Sequence, residues 1–175
     1  ETWQRSSRTQ RRDEFGQSIG WTGYSWNRDL FPDTKGFLAE LHDMGFKTAL
    51  NLHPASGISV REDSYEDFVA DYLSRTDDYD GPEGYIYKGG EKITDKRTAV
   101  KGYRATVPFR MSQQEWADAY FNSVIHPLEA EGIDFWWLDW QQWKLSKYVD
   151  NLSNTFWLNY TFFNDKVRRN RDKSA

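Results

Sequence analysis

The first half of the chain carries apolar residues at helical spacing, then a glycine, then a short apolar run. Asp33 is a favourable helix cap, and Gly45 stands where a helix commonly ends. The apolar positions between them fall on one stripe that we expect to be buried: Phe37, Leu38, Leu41 and Met44. The run 46–52, FKTALNL, predicts a strand that ends before His53 and Pro54. A helix, a glycine and a strand in this order form half of a parallel β/α unit.

The second half repeats this order. Ser112 and Glu115 have the spacing of a capping box, so they predict the start of another helix. The positions that continue it at helical spacing are Trp116, Ala119, Tyr120, Ser123, Val124 and Leu128. His126-Pro127 predicts a kink or a reorganised turn near its end. The run 133–139, IDFWWLD, is apolar on successive residues, which indicates a strand buried on both faces of a parallel sheet.

Two more helices and one insertion complete the pattern. Asp63 or Ser64 opens a helix that ends near Arg75, and its buried side is predicted to be Phe68, Val69, Tyr72 and Leu73. The segment 76–105 is charged and rich in glycine, so we interpret it as an insertion with a hairpin turn at 88–91. A last helix is predicted over 155–169.

Helices that alternate with buried strands predict an α/β fold, either a barrel or a doubly wound sheet. The sequence contains neither GxGxxG after a strand nor GxxxxGK[ST], so the nucleotide-binding forms of the open sheet have no support. The pattern therefore favours part of a (β/α)8 TIM barrel. With 175 residues, we expect one domain over 1–175 that carries the insertion 76–105.

Composition excludes several function classes. The net charge is −4, so the chain has no bulk attraction to nucleic acid. It has no cysteine, which removes disulfides, thiolate metal sites and cysteine nucleophiles, although this does not indicate a compartment. No apolar run approaches the roughly 18 residues that a membrane span needs. The polar, basic segment 1–12 does not resemble a signal peptide, and without an initiator methionine we expect the chain to be a piece of a larger protein.

No metal or other cofactor is expected from the sequence. The three histidines, His42, His53 and His126, lack the spacing of metal ligands. His42 and His126 fall in predicted helices, where a surface or packing role is the simpler interpretation.

Aromatic residues make up 17% of the chain, with 9 Trp, 10 Tyr and 11 Phe. Trp and Tyr offer a flat apolar face with a polar edge, which suits a sugar ring that stacks through its C–H face and hydrogen-bonds through its hydroxyls. An aromatic-rich core explains the same numbers. Composition therefore leaves both interpretations open.

In a parallel barrel the active site lies at the carboxyl ends of the strands. The residues at those ends are Asn51, His53, Asp139 and Trp140. Asp139 could cap the next helix or pair with an arginine, and a carboxylate framed by aromatic residues is also typical of a glycosidase nucleophile. Asn51 and His53 could satisfy the backbone of the loop or hydrogen-bond a substrate hydroxyl.

The sequence resembles a known family at two places. WWLDWQQ at 136–142, preceded by EAEGIDF, resembles the nucleophile strand of glycoside hydrolase family 31, whose pattern is Trp, any residue, Asp, Met and then Asn-Glu. GWTGYSWNRDLFPD at 20–33 and the following GFLAELHDMGFKTALNLHPASGI resemble the preceding part of that family's barrel. The matches occur in the correct order and cover about half of the chain.

The resemblance implies roles for individual residues. Asp139 takes the position of the catalytic nucleophile, and Trp137 that of the leading Trp of the motif. Trp140 replaces the usual Met, and 141–142 (Gln-Gln) replace Asn-Glu, as in a subgroup with LDWQQ. His53 and Pro54 stand where the third strand delivers residues to the substrate pocket. The predicted substrate contacts are Trp137, Trp140, His53 and Asn51. The second carboxylate of the family, an Asp that serves as acid and base, is expected downstream of residue 175.

The resemblance thus implies a segment of a retaining α-glycosidase, most simply one acting on α-glucosides, with a carbohydrate substrate and the rest of the parent enzyme as partners. The isolated chain is expected to be inactive. Two alternatives stay open: a non-catalytic carbohydrate-binding or structural α/β domain, and another barrel glycosidase of the α-galactosidase-like kind.

Overall fold

The structure is a computed structural model, which describes residues 23–59, 62–76, 87–88, 91–92, 106–107, 109–139 and 144–172. Its α-helices are α1 (Thr34–Asp43), α2 (Tyr65–Arg75), α3 (Gln114–Tyr120), α4 (His126–Glu131) and α5 (Asn154–Asp172). Its strands are β1 (Ala49–Leu52), β2 (Ile58–Ser59), β3 (Tyr87–Lys88), β4 (Glu91–Lys92), β5 (Thr106–Val107) and β6 (Phe135–Leu138). The fold is therefore mixed α/β.

Helix α1 begins and ends where the sequence predicts. The Asp33 side chain accepts a hydrogen bond from the Gly36 amide, and Gly45 adopts a positive φ of 85° after the helix. The predicted buried stripe is only partly correct. Leu38 is buried, whereas Phe37 and Met44 are exposed. The strand that follows is also shorter than predicted, because pairing begins at the fourth residue of the apolar run.

Helix α2 follows Ser64 and ends at Arg75, as predicted, with Phe68, Val69 and Tyr72 buried. The predicted hairpin turn at 88–91 is confirmed by the antiparallel pairing of β3 with β4. Strands β2 and β5 form a second small antiparallel pair. Residues 77–86, 89–90 and 93–105 of the predicted insertion lie outside the described part of the chain.

The helix between the two parallel strands is interrupted. A π-helical segment, Phe121–Ile125, separates α3 from α4, and Pro127 lies in the first turn of α4. The predicted reorganisation near His126-Pro127 is thus confirmed. The capping box is wrong: α3 begins after Gln113, and the Ser112 hydroxyl is 2.7 Å from that of Ser146 instead.

Strands β1 and β6 pair in parallel, with Ala49 opposite Phe135 and Leu52 opposite Leu138. Gly132 precedes β6 with a φ of 128°, and a Cβ there would lie 3.2 Å from the Cβ of Leu38 in α1. Glycine therefore permits both the turn and the close approach of α1.

The prediction that β6 is buried on both faces is wrong. Phe135 and Trp137 are 54% and 62% exposed, while Trp136 and Leu138 contact the core. Successive side chains of a strand point to opposite faces, so the described helices cover one face of β6 and leave the other open.

The core lies between these strands and the helices, and aromatic rings fill much of it. Trp116 stacks on Tyr120 and meets the edge of Phe68, while Phe162 of α5 packs on Phe121. Much of the aromatic content therefore contributes to core packing, in agreement with the interpretation of the composition as an aromatic-rich core. In the part of the chain that the structure describes, none of the helices has the length and apolar character to cross a membrane.

Candidate active site

The parallel pairing brings two predicted site residues together across the sheet. The Asp139 amide donates to the carbonyl oxygen of Leu52 at 3.0 Å, which continues the β1–β6 ladder by one residue. Asp139 thereby lies beside the end of β1, where the chain leaves the strand at His53. Asn51, His53 and Asp139, which the sequence predicts at the carboxyl ends of strands, lie together in the structure.

One oxygen of the Asp139 carboxylate has two neighbours at the end of β1. The Nδ2 of Asn51 donates to Oδ2 at 2.9 Å, and Nε2 of His53 lies 3.4 Å from the same oxygen. The Asp139 side chain is 15% exposed, whereas that of His53 is 4% exposed. The carboxylate therefore borders the surface while its partners lie beneath it.

Trp137 lies on the same face of β6 as Asp139, because the two are two residues apart in an extended segment. Its Cα partner on β1 is Asn51. The exposed indole of Trp137 thus occupies the same face of the sheet as the carboxylate and its amide partner. Trp140, the fourth predicted substrate contact besides Trp137, Asn51 and His53, lies outside the described residues.

A cluster of polar side chains around one carboxylate, that of Asp134, lies at the amino end of the two parallel strands. Asp134 accepts hydrogen bonds from the Thr48 amide at 2.8 Å and from Lys47 at 3.1 Å, and Nε2 of His42 lies 2.8 Å away. Burial alone would raise the pKa of Asp134, but these hydrogen bonds and the Lys47 charge outweigh it and lower the pKa below its usual range. The cluster ties α1 and β1 to β6.

Sequence reasoning missed three carboxylates that the fold encloses, those of Glu62, Glu129 and Asp165. Glu62 accepts hydrogen bonds from the amides of Gly23 and Tyr24 and from the Ser25 hydroxyl, so it fastens that segment to the start of α2. Nothing in the sequence around Glu62 marks it as buried.

Glu129 is the second of these missed carboxylates. It accepts from the indole of Trp136 at 2.9 Å and pairs with Lys166 and Arg169 of α5. The sequence carries one signal for it. Lys166 and Arg169 stand three positions apart, on one side of the predicted helix, where both can pair with a single carboxylate.

The histidines outside the site pair with aspartates. His42 contacts Asp134, and His126 lies 3.1 Å from both carboxylate oxygens of Asp165. Over the described ranges, no three His, Asp or Glu side chains are grouped so that they could hold a metal ion.

Comparison with known families agrees with this arrangement of strands and helices. The family model described as the glycosyl hydrolases family 31 TIM-barrel domain matches residues 7–166. No curated protein matched the chain. Because the family model covers most of the chain, including both parallel strands and the helices between them, the chain belongs to glycoside hydrolase family 31.

Proposed function

We propose that the chain is a catalytic-barrel segment of a retaining α-glycosidase and that Asp139 is its nucleophile. The observation that carries the proposal is the Asp139 carboxylate at the carboxyl end of β6, bound by Asn51 and bordering the surface. Barrel enzymes place their reacting groups at this end of the strands. A carboxylate that a neighbouring strand orients is what a glycosidase nucleophile requires.

The proposed reaction has two steps. First, an oxygen of Asp139 attacks the anomeric carbon, the bond to the leaving oxygen breaks, and the second carboxyl group gives that oxygen a proton. Then the same second group takes a proton from water, the water oxygen attacks the anomeric carbon, and the bond to Asp139 breaks. The sugar keeps its anomeric configuration, and both carboxyl groups return to their starting states.

We propose α-glucosides as substrates, because α-glucosidase activity is the commonest in this family. Trp137 and Trp140 are proposed to contact the sugar. The exposed indole of Trp137 supports its part in this, since it lies on the face of β6 that carries Asp139. Such a ring can stack on the C–H face of a pyranose.

Covalent trapping tests the proposal on the full-length protein that contains this chain. We expect 5-fluoro-α-glucosyl fluoride to inactivate the enzyme and to add one fluoroglucosyl group to the peptide that contains Asp139. The Asp139→Asn variant is the matched control and should stay unlabelled. Product released from an aryl α-glucoside should be the α-anomer when its NMR spectrum is recorded before mutarotation.

Two outcomes would contradict the proposal. A label on a peptide without Asp139 would move the nucleophile elsewhere, and release of the β-anomer would exclude a retaining mechanism. A non-catalytic carbohydrate-binding domain would give neither inactivation nor product.

A further inference from the structure

Asn51 and His53 are buried beneath the carboxylate. Their exposed fractions are 6% and 4%, among the lowest of the polar residues in the described part of the chain. Side chains so enclosed present little surface to a sugar. Each nevertheless has a nitrogen atom within 3.4 Å of Oδ2 of Asp139.

The contact from Asn51 has a defined direction. A carboxylate can only accept hydrogen bonds, so the amide must present Nδ2 to Asp139 and turn its oxygen away. That oxygen, Oδ1, is buried with no hydrogen-bond partner in the described part of the chain. A buried amide that leaves its acceptor unsatisfied while its donor binds a carboxylate is an unfavourable arrangement for stability alone.

His53 can donate to the same oxygen when Nε2 carries a hydrogen. It faces the carboxylate from the position directly after β1. Asn51 lies within β1, and His53 follows Leu52, the last residue of that strand. Two donors, one from the strand and one from the residue after it, therefore converge on one oxygen of Asp139.

We infer that Asn51 and His53 are positioning residues for the nucleophile rather than sugar contacts. They fix the rotation of the Asp139 carboxylate and favour its ionised form, which is the form that attacks. This inference rests on the proposed function, since it assigns a role to the partners of a nucleophile. It differs from the sequence prediction, which placed both residues against the substrate.

The decisive variant is Asn51→Asp in the full-length enzyme. The change conserves shape but replaces the donor with a second carboxylate, which disfavours ionisation of Asp139. We expect kcat on an aryl α-glucoside at neutral pH to fall by about tenfold or more with KM nearly unchanged, and the acid limb of kcat/KM to move upward by about one pH unit or more. Asn159→Asp, the same change on the exposed side of α5, should alter neither.

His53 supplies an independent pair of variants. His53→Gln keeps a nitrogen donor at similar reach, so it should retain most of the trapping rate with 5-fluoro-α-glucosyl fluoride. His53→Leu has no donor and should be trapped at least about tenfold more slowly. If Asn51→Asp does not fold, as circular dichroism would show, this comparison decides the question by itself.

A sugar-contact role would give a different result. KM would rise in the variants while the acid limb stayed in place, and Gln and Leu at position 53 would lower the trapping rate equally; either finding overturns the inference. Failure of the proposed function is distinguishable, because either the wild type would then show no turnover or Asp139→Asn would keep it. A silent Asp139→Asn together with unchanged Asn51 and His53 variants would leave the nucleophile assigned and refute only the positioning role.

Discussion

Asp134 and Asp139 flank the same four-residue strand, so their carboxylates lie at its two opposite ends. Asp139 meets Asn51 at the carboxyl end of β1, and Asp134 meets His42 and Lys47 at the other end. Five residues of extended chain span roughly 16 Å. The two carboxyl groups of a retaining glycosidase stand only about 5–5.5 Å apart. Asp134 therefore cannot act as the acid and base for Asp139, and we assign it a structural role.

Substitution of Asp139 by Asn in the full-length enzyme should abolish most turnover. The change is nearly isosteric and removes the charge that attacks, so we expect kcat on an aryl α-glucoside to fall by at least about a thousandfold. The circular dichroism spectrum should stay the same. Asp150→Asn, at an exposed position, serves as the control. Turnover within a few fold of the wild type would remove Asp139 from the mechanism.

Asp134 should contribute stability that depends on pH. Its pKa is lower in the folded chain than its ordinary value near 3.9, so the folded state gains from the ionised carboxylate above that value. This gain is lost as the pH falls from about 4 through the lowered pKa. We expect Asp134→Asn to reduce the free energy of unfolding by about 1.5–3 kcal/mol at pH 7, the range for hydrogen bonds to a charged group.

The measurement is denaturant unfolding of the full-length protein at pH 7 and at pH 3, with Asp43→Asn as an exposed control on α1. The difference between wild type and Asp134→Asn should shrink at pH 3. A difference that stays constant with pH would show that the charge of Asp134 does not stabilise the fold.

Local signals in the sequence gave the correct helix boundaries where short-range chemistry determines them. The Asp33 cap, the glycine at 45 and the proline at 127 act on neighbouring backbone, and each prediction from them is confirmed. The capping box at Ser112 failed because a distant hydroxyl, that of Ser146, competes for the same side chain. No window of sequence near Ser112 contains that information.

Part of the site was predictable because it follows from local sequence patterns. Strand-end positions follow from the β/α pattern, so Asn51, His53 and Asp139 could be named together. The register of β1 against β6 is a long-range property, and only the structure shows that the amide of Asn51 reaches Oδ2. Glu129 was missed because its partners on α5 lie 37 and 40 residues away.

Loss of the Glu129 carboxylate should loosen the docking of α5. The side chain is 8% exposed, accepts from the Trp136 indole and pairs with Lys166 and Arg169, so its removal takes away one hydrogen bond and two ion pairs. We expect Glu129→Ala to lower the free energy of unfolding of the full-length protein by about 1–3 kcal/mol. Lys166→Met removes the more exposed partner and should cost much less. Equal costs in the two variants would contradict this assignment.

The 175-residue chain on its own should not turn over glycosides. A retaining site needs two carboxyl groups at a fixed separation, and the resemblance assigns only Asp139 to this chain. Purified chain would be assayed against a panel of 4-nitrophenyl α-glycosides, with its Asp139→Asn variant as the control. Turnover that the variant abolishes would show that the chain contains a second catalytic carboxyl group.

The segment 76–105 is predicted to shape the part of the active site that receives the leaving group. It lies in the connection between β1 and β6, after α2, and the connections that leave the carboxyl ends of barrel strands commonly determine specificity. Its deletion from the full-length enzyme should change kcat/KM for α-glycosides with large leaving groups more than for 4-nitrophenyl α-glucoside. An equal loss on all substrates would indicate a structural role instead.

The π-helical turn Phe121–Ile125 lets the connection between β1 and β6 carry one extra residue without changing the phase of the helix around it. Such a turn holds about one residue more than an α-helical turn over the same rotation, so removing one residue from 121–125 would leave a regular helix with Leu128 and Gly132 close to their places. A single-residue deletion in α3 or α4 would instead rotate everything after it by about 100°. Deletions there would therefore shift the frame in which β6 presents Asp139, whereas a deletion within the turn would not.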